Sequence, residues 1–342
     1  MARVLVSIIT RHNIPNYLFC KQMRGNSDRR LYIVTEHVRN KEAQVFSEII
    51  KARENLFVTL DANNYKQNVD TMKAFTERYP DDSYIVNLTG GTKAMSMAVH
   101  DVLVNHCGEF YTVTQDAKAF YNFQTGEQTP FSPKSFVPLS NYLKLYGLNM
   151  QRTERQSVQR ANEVFNQMRD CGFDKVDCAL VDTAQEQDSA EERKYLSGEW
   201  FEDYVYYRLR KDFPEIREND IASSVKLYKN ERTSQANNSS EIDVIFVKDN
   251  ALYTIECKVG LDPDEIRAAM NKAAAISTYT GFKVNSYIFW LRNMRDVGKD
   301  AMANLSERAN LIGLRGIVTS NDLKDETNNT YLDNPEIRGD LQ

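Results

Sequence analysis

The chain has 342 residues, of which 42% are hydrophobic and 27% are charged, and its formal net charge is −5. This length is sufficient for two domains that each bury a core, and the composition is that of a globular protein. The sequence has no apolar run of the roughly 18 residues that a membrane span needs. The negative charge argues against a histone-like basic surface but is compatible with a local groove for nucleic acid. We therefore expect a two-domain protein without a membrane anchor.

The N-terminal sequence MARVLVSIIT is a strand-like apolar run and lacks the small-residue cleavage site of a signal peptide. The five cysteines contain no CxxC pair, and the four histidines form no HExxH motif, so the common zinc patterns are excluded. An odd and scattered set of cysteines is typical of reduced thiols. These features predict a cytoplasmic protein.

Residues 1 to about 125 alternate strand patterns with helical patterns. Apolar strand patterns at 3–9, 30–35, 56–60 and 82–88 are separated by amphipathic stretches. This alternation predicts a parallel sheet with right-handed crossovers, that is, a Rossmann-like α/β sandwich. The runs FYTVT and AFYNF flank QDAK and predict a hairpin that closes the sheet edge.

The remainder of the chain predicts a boundary and a second α/β unit. The segment GEQTPFSPKSFVP is rich in proline and glycine, as is typical of a domain exit, and short helices follow it. We expect a first domain over residues 1–140, a linker with short helices over 141–190 and a second domain over 191–342.

The sequence EIDVIFVKDNALYTIECKVG, residues 241–260, places charges on two apolar strand patterns. Pairing across KDNA puts Asp243 directly opposite Glu256, and strand alternation puts Lys258 on the same face. Two opposed carboxylates repel unless a cation lies between them, and Mg²⁺ or Mn²⁺ takes carboxylate oxygens and keeps bound water. Such a metal polarises a phosphoryl oxygen and lowers the pKa of its water, while Lys258 orients or deprotonates that water or neutralises a phosphate. The pattern predicts phosphodiester hydrolysis.

The same residues also fit an amphipathic hairpin with a solvated polar face, on which Lys258 merely pairs with Glu256. The apolar flanks argue against this alternative, because unpaired charge on a central strand is costly. Upstream, Glu202 lies at the edge of an apolar helix face and supplies another carboxylate. Glu241 shares the face of Asp243, and we interpret it as solvated.

This hairpin, preceded by a Glu-bearing helix, resembles the PD-(D/E)XK core of restriction-endonuclease-like nucleases. The resemblance implies a set of metal ligands and one catalytic lysine: Asp243, Glu256, Glu202, the main-chain carbonyl of Cys257, and Lys258. It also implies that the thiol of Cys257 points into the packing on the other face. Ile242 stands where the family name has proline.

A second polar segment lies in the first domain, where VNLTGGTKAM runs from a strand into a helix through Thr89, Gly90, Gly91, Thr92 and Lys93. Glycines allow close approach of the backbone, and free N–H groups at a helix start attract anions. The Walker pattern GxxxxGK[ST] is not satisfied, which argues against cleavage of nucleoside triphosphates. An ordinary strand-to-helix turn with a threonine N-cap fits the same residues.

The loop after the first strand is expected at the same carboxyl edge of the sheet, where open α/β folds bind ligands. Thr10, His12, Asn13 and Asn16 offer hydrogen bonds around the rigid Pro15. The predicted ligand-binding residues of this loop are Thr10, Arg11, His12, Asn13, Ile14, Pro15 and Asn16. Two polar loops that converge on one edge favour a ligand that carries phosphate.

VNLTGGTKAM and NIPN together resemble the CARF domain, the CRISPR-associated Rossmann fold that senses cyclic oligoadenylates. With LSNYLKLYG, LSGEWFEDYVY and the hairpin, both halves of the chain resemble the type III CRISPR ancillary nucleases that join CARF to PD-(D/E)XK. The resemblance implies a homodimer that binds one cyclic tetra-adenylate (cA4) across its two-fold axis and then cuts DNA, RNA or both with Mn²⁺ or Mg²⁺. The loop TRHNIPN departs from the commoner Ser-Glu-Gln-type start, which leaves the preferred ring size open.

Three other functions are compatible with parts of the sequence. A ring nuclease would cleave the cyclic messenger in the first domain, with Thr10, His12 or Lys93 positioning a 2′-hydroxyl. A ligand-sensing regulator of transcription would need a recognition helix and a basic face in the second half. A restriction-type nuclease without a messenger would leave the Thr-Gly-Gly-Thr-Lys loop without a role.

Overall fold

The computed structural model describes residues 2–26, 29–39, 41–106, 108–132, 134–152, 157–173, 190–229, 240–259, 263–280, 284–292 and 297–338. It contains two compact units, Met1–Leu148 and Asn149–Gln342. The segment expected to be a linker, 141–190, is divided between them. Its described residues after the boundary form a strand and a helix that belong to the second unit.

Seven strands form the sheet of the first unit: β1 (Arg3–Ile8), β2 (Arg29–Val34), β3 (Asn55–Thr59), β4 (Ser83–Asn87), β5 (Glu109–Val113), β6 (Ala119–Asn122) and β7 (Gln128–Pro130). They lie in the order β3-β2-β1-β4-β5-β6-β7. Strands β1 to β5 are parallel, and β6 and β7 are antiparallel. The Rossmann-like prediction and the β5–β6 hairpin are confirmed. The hairpin does not form the sheet edge, however, because β6 pairs on its other side with β7.

Six helices accompany this sheet: α1 (Ile14–Gln22), α2 (Glu36–Arg39), α3 (Glu42–Ile50), α4 (Tyr65–Glu77), α5 (Lys93–Leu103) and α6 (Leu139–Leu145). The central strands are buried along nearly their whole length, which explains their continuous apolar sequences. From β1 the chain moves through β2 to β3 on one side, and β4 and β5 lie on the other. The carboxyl ends of β1 and β4 therefore meet at a topological switch point.

The second unit also has a seven-stranded sheet: β8 (Leu148–Arg152), β9 (Ile221–Lys229), β10 (Ser240–Lys248), β11 (Ala251–Val259), β12 (Asn285–Leu291), β13 (Gly316–Thr319) and β14 (Ile337–Arg338). The order is β14-β13-β12-β11-β10-β9-β8. Strands β9, β10 and β11 are antiparallel, and β11, β12 and β13 are parallel. Its helices are α7 (Val158–Asp170), α8 (Ala190–Lys194), α9 (Trp200–Asp212), α10 (Pro263–Thr280), α11 (Lys299–Leu311) and α12 (Ser320–Leu323).

This second sheet has an apolar core on each face. Helices α7 and α9 pack on one face, where Phe246 and Phe289 are buried beside Trp200. On the other face, Trp290 is buried with Met270 of α10. The result is a three-layer α/β unit whose strands β10 and β11 lie between α9 and α10.

Helix α9 is held by a buried arginine. Arg208 forms an ion pair with Asp212 at 2.5 Å, and its guanidinium donates to the carbonyls of Leu323, Asp325 and Asn328. A buried guanidinium is stable only when its donors are satisfied, so these bonds fix α9 against the C-terminal segment.

Helix α8 does not continue regularly into α9. Tyr195–Glu199 between them is a π-helical segment in which Gly198 leaves the helical conformation (φ 167°, ψ −23°). Cys171, at the end of α7, is disulfide-bonded, so the expectation of uniformly reduced thiols is wrong there. Cys20 and Cys257 are free and buried. Among the described residues, no helix is both long enough and apolar enough to span a membrane.

Candidate functional site

Strands β10 and β11 bring the two predicted carboxylates together. Val244 pairs with Ile255, a register that places Asp243 opposite Glu256 as the sequence predicted. The turn residues 249–250 have φ values of 52° and 59°, the left-handed conformation that suits a two-residue hairpin turn. The hairpin is therefore confirmed in both register and turn.

Both carboxylates are buried: Asp243 is 7% exposed and Glu256 is 1% exposed. The backbone N–H of Cys257 donates to Oδ2 of Asp243 at 2.7 Å. In contrast, Oε1 of Glu256 has no hydrogen-bond partner in the described part of the chain. Burial, followed by the charge of Asp243, raises the pKa of Glu256 to about 7. A buried carboxylate with an unpartnered oxygen is costly unless a cation completes it.

Two ammonium groups reach this pair. Lys258 Nζ lies 3.9 Å from Oδ2 of Asp243, which places the predicted catalytic lysine at the site. Lys272 Nζ, from α10, lies 2.7 Å from Oε2 of Glu256 and 3.8 Å from Oδ1 of Asp243. Sequence reasoning missed Lys272. Its signal is weak, since it is one lysine at the border of the buried helix face that contains Ala273.

Glu202 joins the same charge cluster from α9. Its Oε2 accepts a hydrogen bond from Oγ of Ser224 at 2.5 Å. Ser224 has a φ of 48° and interrupts β9 between the residues that pair with Ile242 and Val244. Burial, and then the charge of Asp243, raises the pKa of Glu202 to about 8. Glu202 is thus a further, partly buried carboxylate under the influence of Asp243, and its role as a metal ligand stays a prediction.

The surroundings of this cluster agree with two smaller predictions. Glu241 is exposed and lies across from Lys226 of β9, so its interpretation as a solvated residue stands. Cys257 packs in the apolar core on the opposite face of β11 from Glu256. Burial raises the pKa of its thiol, which makes the thiol an inert packing group.

The oxygen-rich donor set fits a hard divalent cation such as Mg²⁺ or Mn²⁺. The candidate donors are Asp243, Glu256 with its unpartnered oxygen, and Glu202. Within the described ranges, however, no three His, Cys, Asp or Glu side chains already form a metal-binding group. The position between Asp243 and Glu256 is instead approached by the ammonium of Lys272.

The second candidate site lies at the switch point of the first sheet, where β1 and β4 pair directly. A chain of buried amides joins the two loops there. Asn16 donates to the carbonyl of Ile8 at 2.9 Å, and Asn87 donates to Oδ1 of Asn16 at 2.8 Å. Thr89 donates through Oγ1 to Oδ1 of Asn87 at 2.5 Å and accepts from the backbone N–H of Val113 at 2.7 Å. This network fixes the loop after β1 against the loop after β4.

The two glycines of the second loop are required by close contact with β1. A Cβ added to Gly90 would lie 2.1 Å from the carbonyl oxygen of Ile8. Gly91 has a φ of 82°, and a Cβ there would lie 2.5 Å from Cγ2 of Ile8. The glycines thus allow the backbone N–H groups before α5 to lie directly over the end of β1.

The predicted ligand-binding residues fall into three groups: two threonines of the second loop, an inner group and an exposed group. The hydroxyls of Thr89 and Thr92 donate within the protein, Thr92 to the carbonyl of Ala62, and Thr92 also caps α5. The predicted N-cap is therefore present, and these two hydroxyls are not free donors for a ligand. The inner group comprises Asn13, Ile14 and Asn16, which are buried, and the partly buried Thr10 and Pro15. The exposed group comprises Arg11, His12, Gly91 and Lys93, with Gly90 beside it.

Family models match most of the chain in two parts. Residues 4–142 match the Card1 CARF domain. Residues 189–330 match the Card1-like endonuclease domain. The chain combines a Card1 CARF domain with a Card1-like endonuclease domain. This result confirms the resemblance and the fold class inferred from the sequence, and it assigns the two candidate sites to a CARF domain and an endonuclease domain.

Solved structures share this fold. Can2 from Sulfobacillus thermosulfidooxidans, in complex with cA4, is 19% identical, with a TM-score of 0.67 over 96% of this chain and 94% of Can2. VC1899 from Vibrio cholerae is 16% identical, with a TM-score of 0.71 over 99% of both chains. A type III CRISPR defence DNA nuclease activated by cyclic oligoadenylate is 15% identical, with a TM-score of 0.56 over 84% of this chain and 45% of that one. No curated protein sequence matches the chain.

The raised pKa of Glu202 predicts a pH-dependent stability for the metal-free protein. The folded protein keeps this proton up to about pH 8, whereas the unfolded chain loses it near its ordinary pKa of 4.5. The stabilisation is therefore complete below the lower value and is lost as the pH rises through the higher one. We expect the unfolding temperature to fall by several degrees across this window, and differential scanning calorimetry with a chelator would measure it.

The matched variants isolate the contribution of Glu202. Glu202→Gln removes the titrating group, so its unfolding temperature should fall less with rising pH than that of the wild type. Glu307→Gln, at an exposed position on α11, should follow the wild-type curve. If Glu202→Gln kept the full wild-type slope, another buried group would carry the effect.

Asn87→Ala should weaken the CARF-domain network. The substitution removes the hydrogen-bond donor to Oδ1 of the buried Asn16 and the acceptor of the backbone N–H of the partly buried Thr89. We expect the free energy of unfolding to fall by about 1–3 kcal/mol, the cost of buried unpaired polar groups. Urea denaturation measures the loss, with the exposed Asn105→Ala as control. An unchanged free energy of unfolding in Asn87→Ala would show that the network is not needed for the stability of this domain.

Proposed function

We propose that this chain is a cA4-activated, metal-dependent nuclease that cleaves DNA, RNA or both in type III CRISPR antiviral defence. The observation that carries the nuclease part is the buried pair of opposed carboxylates in the endonuclease domain, Asp243 and Glu256, which the ammonium groups of Lys258 and Lys272 approach. The fold match to cA4-bound Can2 supports the choice of activator, and the fold match to the defence DNA nuclease supports the chemistry.

Asp243, Glu256 and Glu202, with the main-chain carbonyl of Cys257, are the proposed ligands of Mn²⁺ or Mg²⁺. When bound, such an ion supplies Lewis-acid polarisation of the phosphate and an acidified water. Lys258 lies 3.9 Å from Asp243 and is placed to neutralise the scissile phosphate or to orient the attacking water. The apolar packing around the carboxylates excludes bulk water and so strengthens each of these electrostatic interactions.

The proposed cA4 site is the switch-point edge of the CARF domain. Arg11, His12 and Lys93 are exposed there beside the backbone of Gly90 and Gly91. Cationic side chains and backbone N–H groups at a helix start are suited to phosphate groups. The buried amides beneath them hold this surface in one arrangement, which lowers the entropic cost of binding.

A homodimer is the proposed assembly, because a cyclic ligand with repeated units matches a two-fold symmetric pair of sites. The CARF domain offers an apolar surface next to the ligand loop. Met97 on α5 is 57% exposed, Val104 just beyond α5 is 47% exposed, and Tyr65 on the adjacent α4 is 41% exposed. Helix α5 begins at the ligand loop, so pairing through this surface would bring two copies of the loop together. The proposed location is the cytoplasm, where the messenger and its nucleic-acid targets are found.

A cleavage assay tests the proposal. Labelled single-stranded DNA, single-stranded RNA and supercoiled plasmid are incubated with Mn²⁺, with and without cA4, and with a chelator in place of the metal. We expect cutting only when metal and cA4 are both present, and the substrate that is cut defines the target. Cutting without cA4 would support the nuclease activity and contradict activation by cA4. Bound cA4 without cutting of any substrate would leave a sensor with a different output.

A further inference from the structure

Lys272 occupies the position that a cation would take between the two buried carboxylates. Its Nζ lies 2.7 Å from Oε2 of Glu256 and 3.8 Å from Oδ1 of Asp243, while its stem comes from α10. Lys258 reaches only Asp243 among the described carboxylates, and at a longer distance of 3.9 Å. Of the two lysines, Lys272 is therefore the one that bridges the pair.

An ammonium and a divalent ion cannot share this position. Mg²⁺ binds carboxylate oxygens at about 2.0–2.1 Å. An ion held by Oε2 of Glu256 and Oδ1 of Asp243 would lie close to where Lys272 Nζ now is, and two like charges at such a distance repel strongly. The remaining oxygen of Glu256 is buried and unpartnered, so the lysine satisfies only part of the site. The ammonium is thus an incomplete substitute for a metal.

Lys272 has room to leave. Its side chain is 39% exposed, whereas the side chain of Glu256 is 1% exposed. A long, flexible lysine at the surface can rotate outward while the buried carboxylates stay in place.

We propose that Lys272 is a resident counter-ion of the metal-free site, and that it competes with the divalent cation and must swing out when the metal binds. This inference rests on the proposed metal site. It makes Lys272 a positioning residue that sets the metal concentration at which the endonuclease domain becomes competent, and that keeps the carboxylates in place beforehand.

Calorimetric titration with Mn²⁺ alone, without nucleic acid, tests the competition. Lys272→Met should lower the Kd for Mn²⁺ at least about tenfold, because the competing charge is gone. Lys299→Met, at an exposed lysine that begins α11, should match the wild type. Asp243→Asn should weaken binding and so identify the site that is being titrated.

Amine labelling of the wild-type protein, read by mass spectrometry, tests the movement. Mn²⁺ should increase the labelling rate of Lys272 several-fold and leave that of Lys299 unchanged. Slower or unchanged labelling of Lys272 would overturn the outward movement, and an unchanged Kd in Lys272→Met would overturn the competition. If the wild type binds Mn²⁺ through Asp243 and Lys272→Met binds it no better, the metal site stands and this inference fails. If none of the variants binds Mn²⁺, both fail.

Discussion

Glu256→Gln should lower the rate of nucleic-acid cleavage by about a hundred- to a thousandfold, the usual effect of removing one strong electrostatic contact from an active site. The amide keeps the shape of the side chain and removes the charge that a metal ligand needs. Because Glu256 is buried beside Asp243, the loss of one of two repelling carboxylates should leave the fold at least as stable. Single-turnover cleavage at saturating cA4 and Mn²⁺ measures the rate.

The matched control is Glu241→Gln, which removes an exposed carboxylate from the neighbouring strand β10 of the same hairpin. It should keep nearly the full rate. Binding of cA4 should be unchanged in both variants, because the CARF domain is untouched. An equal loss of rate in the two variants would mean that only the total negative charge of the hairpin matters. Full activity in Glu256→Gln would show that Glu256 is not part of the catalytic centre.

Gly90→Ala, in the CARF domain, should raise the cA4 concentration needed for activation about a hundredfold. The added Cβ would lie 2.1 Å from the carbonyl oxygen of Ile8, a distance that no relaxation of a side chain can relieve. The loop before α5 must shift away from β1, and its N–H groups then lose their alignment. To bind the ligand, the variant must return the loop to its original position, and forced overpacking of this kind costs about 3 kcal/mol. That cost corresponds to about a hundredfold weaker binding.

Calorimetric titration with cA4 measures this loss, and the cleavage assay shows its consequence for activation. Gly25→Ala is the control, because a Cβ at Gly25 has nothing within 4 Å and the residue belongs to the same domain. It should bind cA4 like the wild type. Wild-type affinity in Gly90→Ala would mean that the ligand does not use this loop.

The sequence was most informative where the chemistry is local. Alternating strand patterns and the KDNA turn predicted the register that opposes Asp243 and Glu256, because a hairpin joins residues close in sequence. Glu202 was recognised from its place on a helix face, although its contact with Ser224 was not. The Rossmann-like order followed from repeated strand–helix alternation.

Contacts between segments that are distant in the chain could not be predicted from the sequence. Lys272 meets Glu256 only because α10 crosses the face of the sheet that carries it, and nothing in the intervening sequence encodes that crossing. The internal use of the Thr89 hydroxyl depends on Val113 from a neighbouring strand. Likewise, the short segment β8 is a strand because it pairs with β9, which begins about 70 residues later in the chain.

The buried amide network limits how this sensor can diversify. Asn16 lies in the first turn of α1 and Asn87 ends β4, and the side chain of Asn87 donates a hydrogen bond to that of Asn16. A single change at either position leaves its neighbour unsatisfied, so substitutions there are expected to arise in pairs. Substitution of Arg11, His12 or Lys93 leaves no buried polar group unsatisfied among the described contacts, because these side chains are exposed. Relatives that prefer another cyclic nucleotide should therefore differ first at the exposed rim, while the amides beneath it are inherited together.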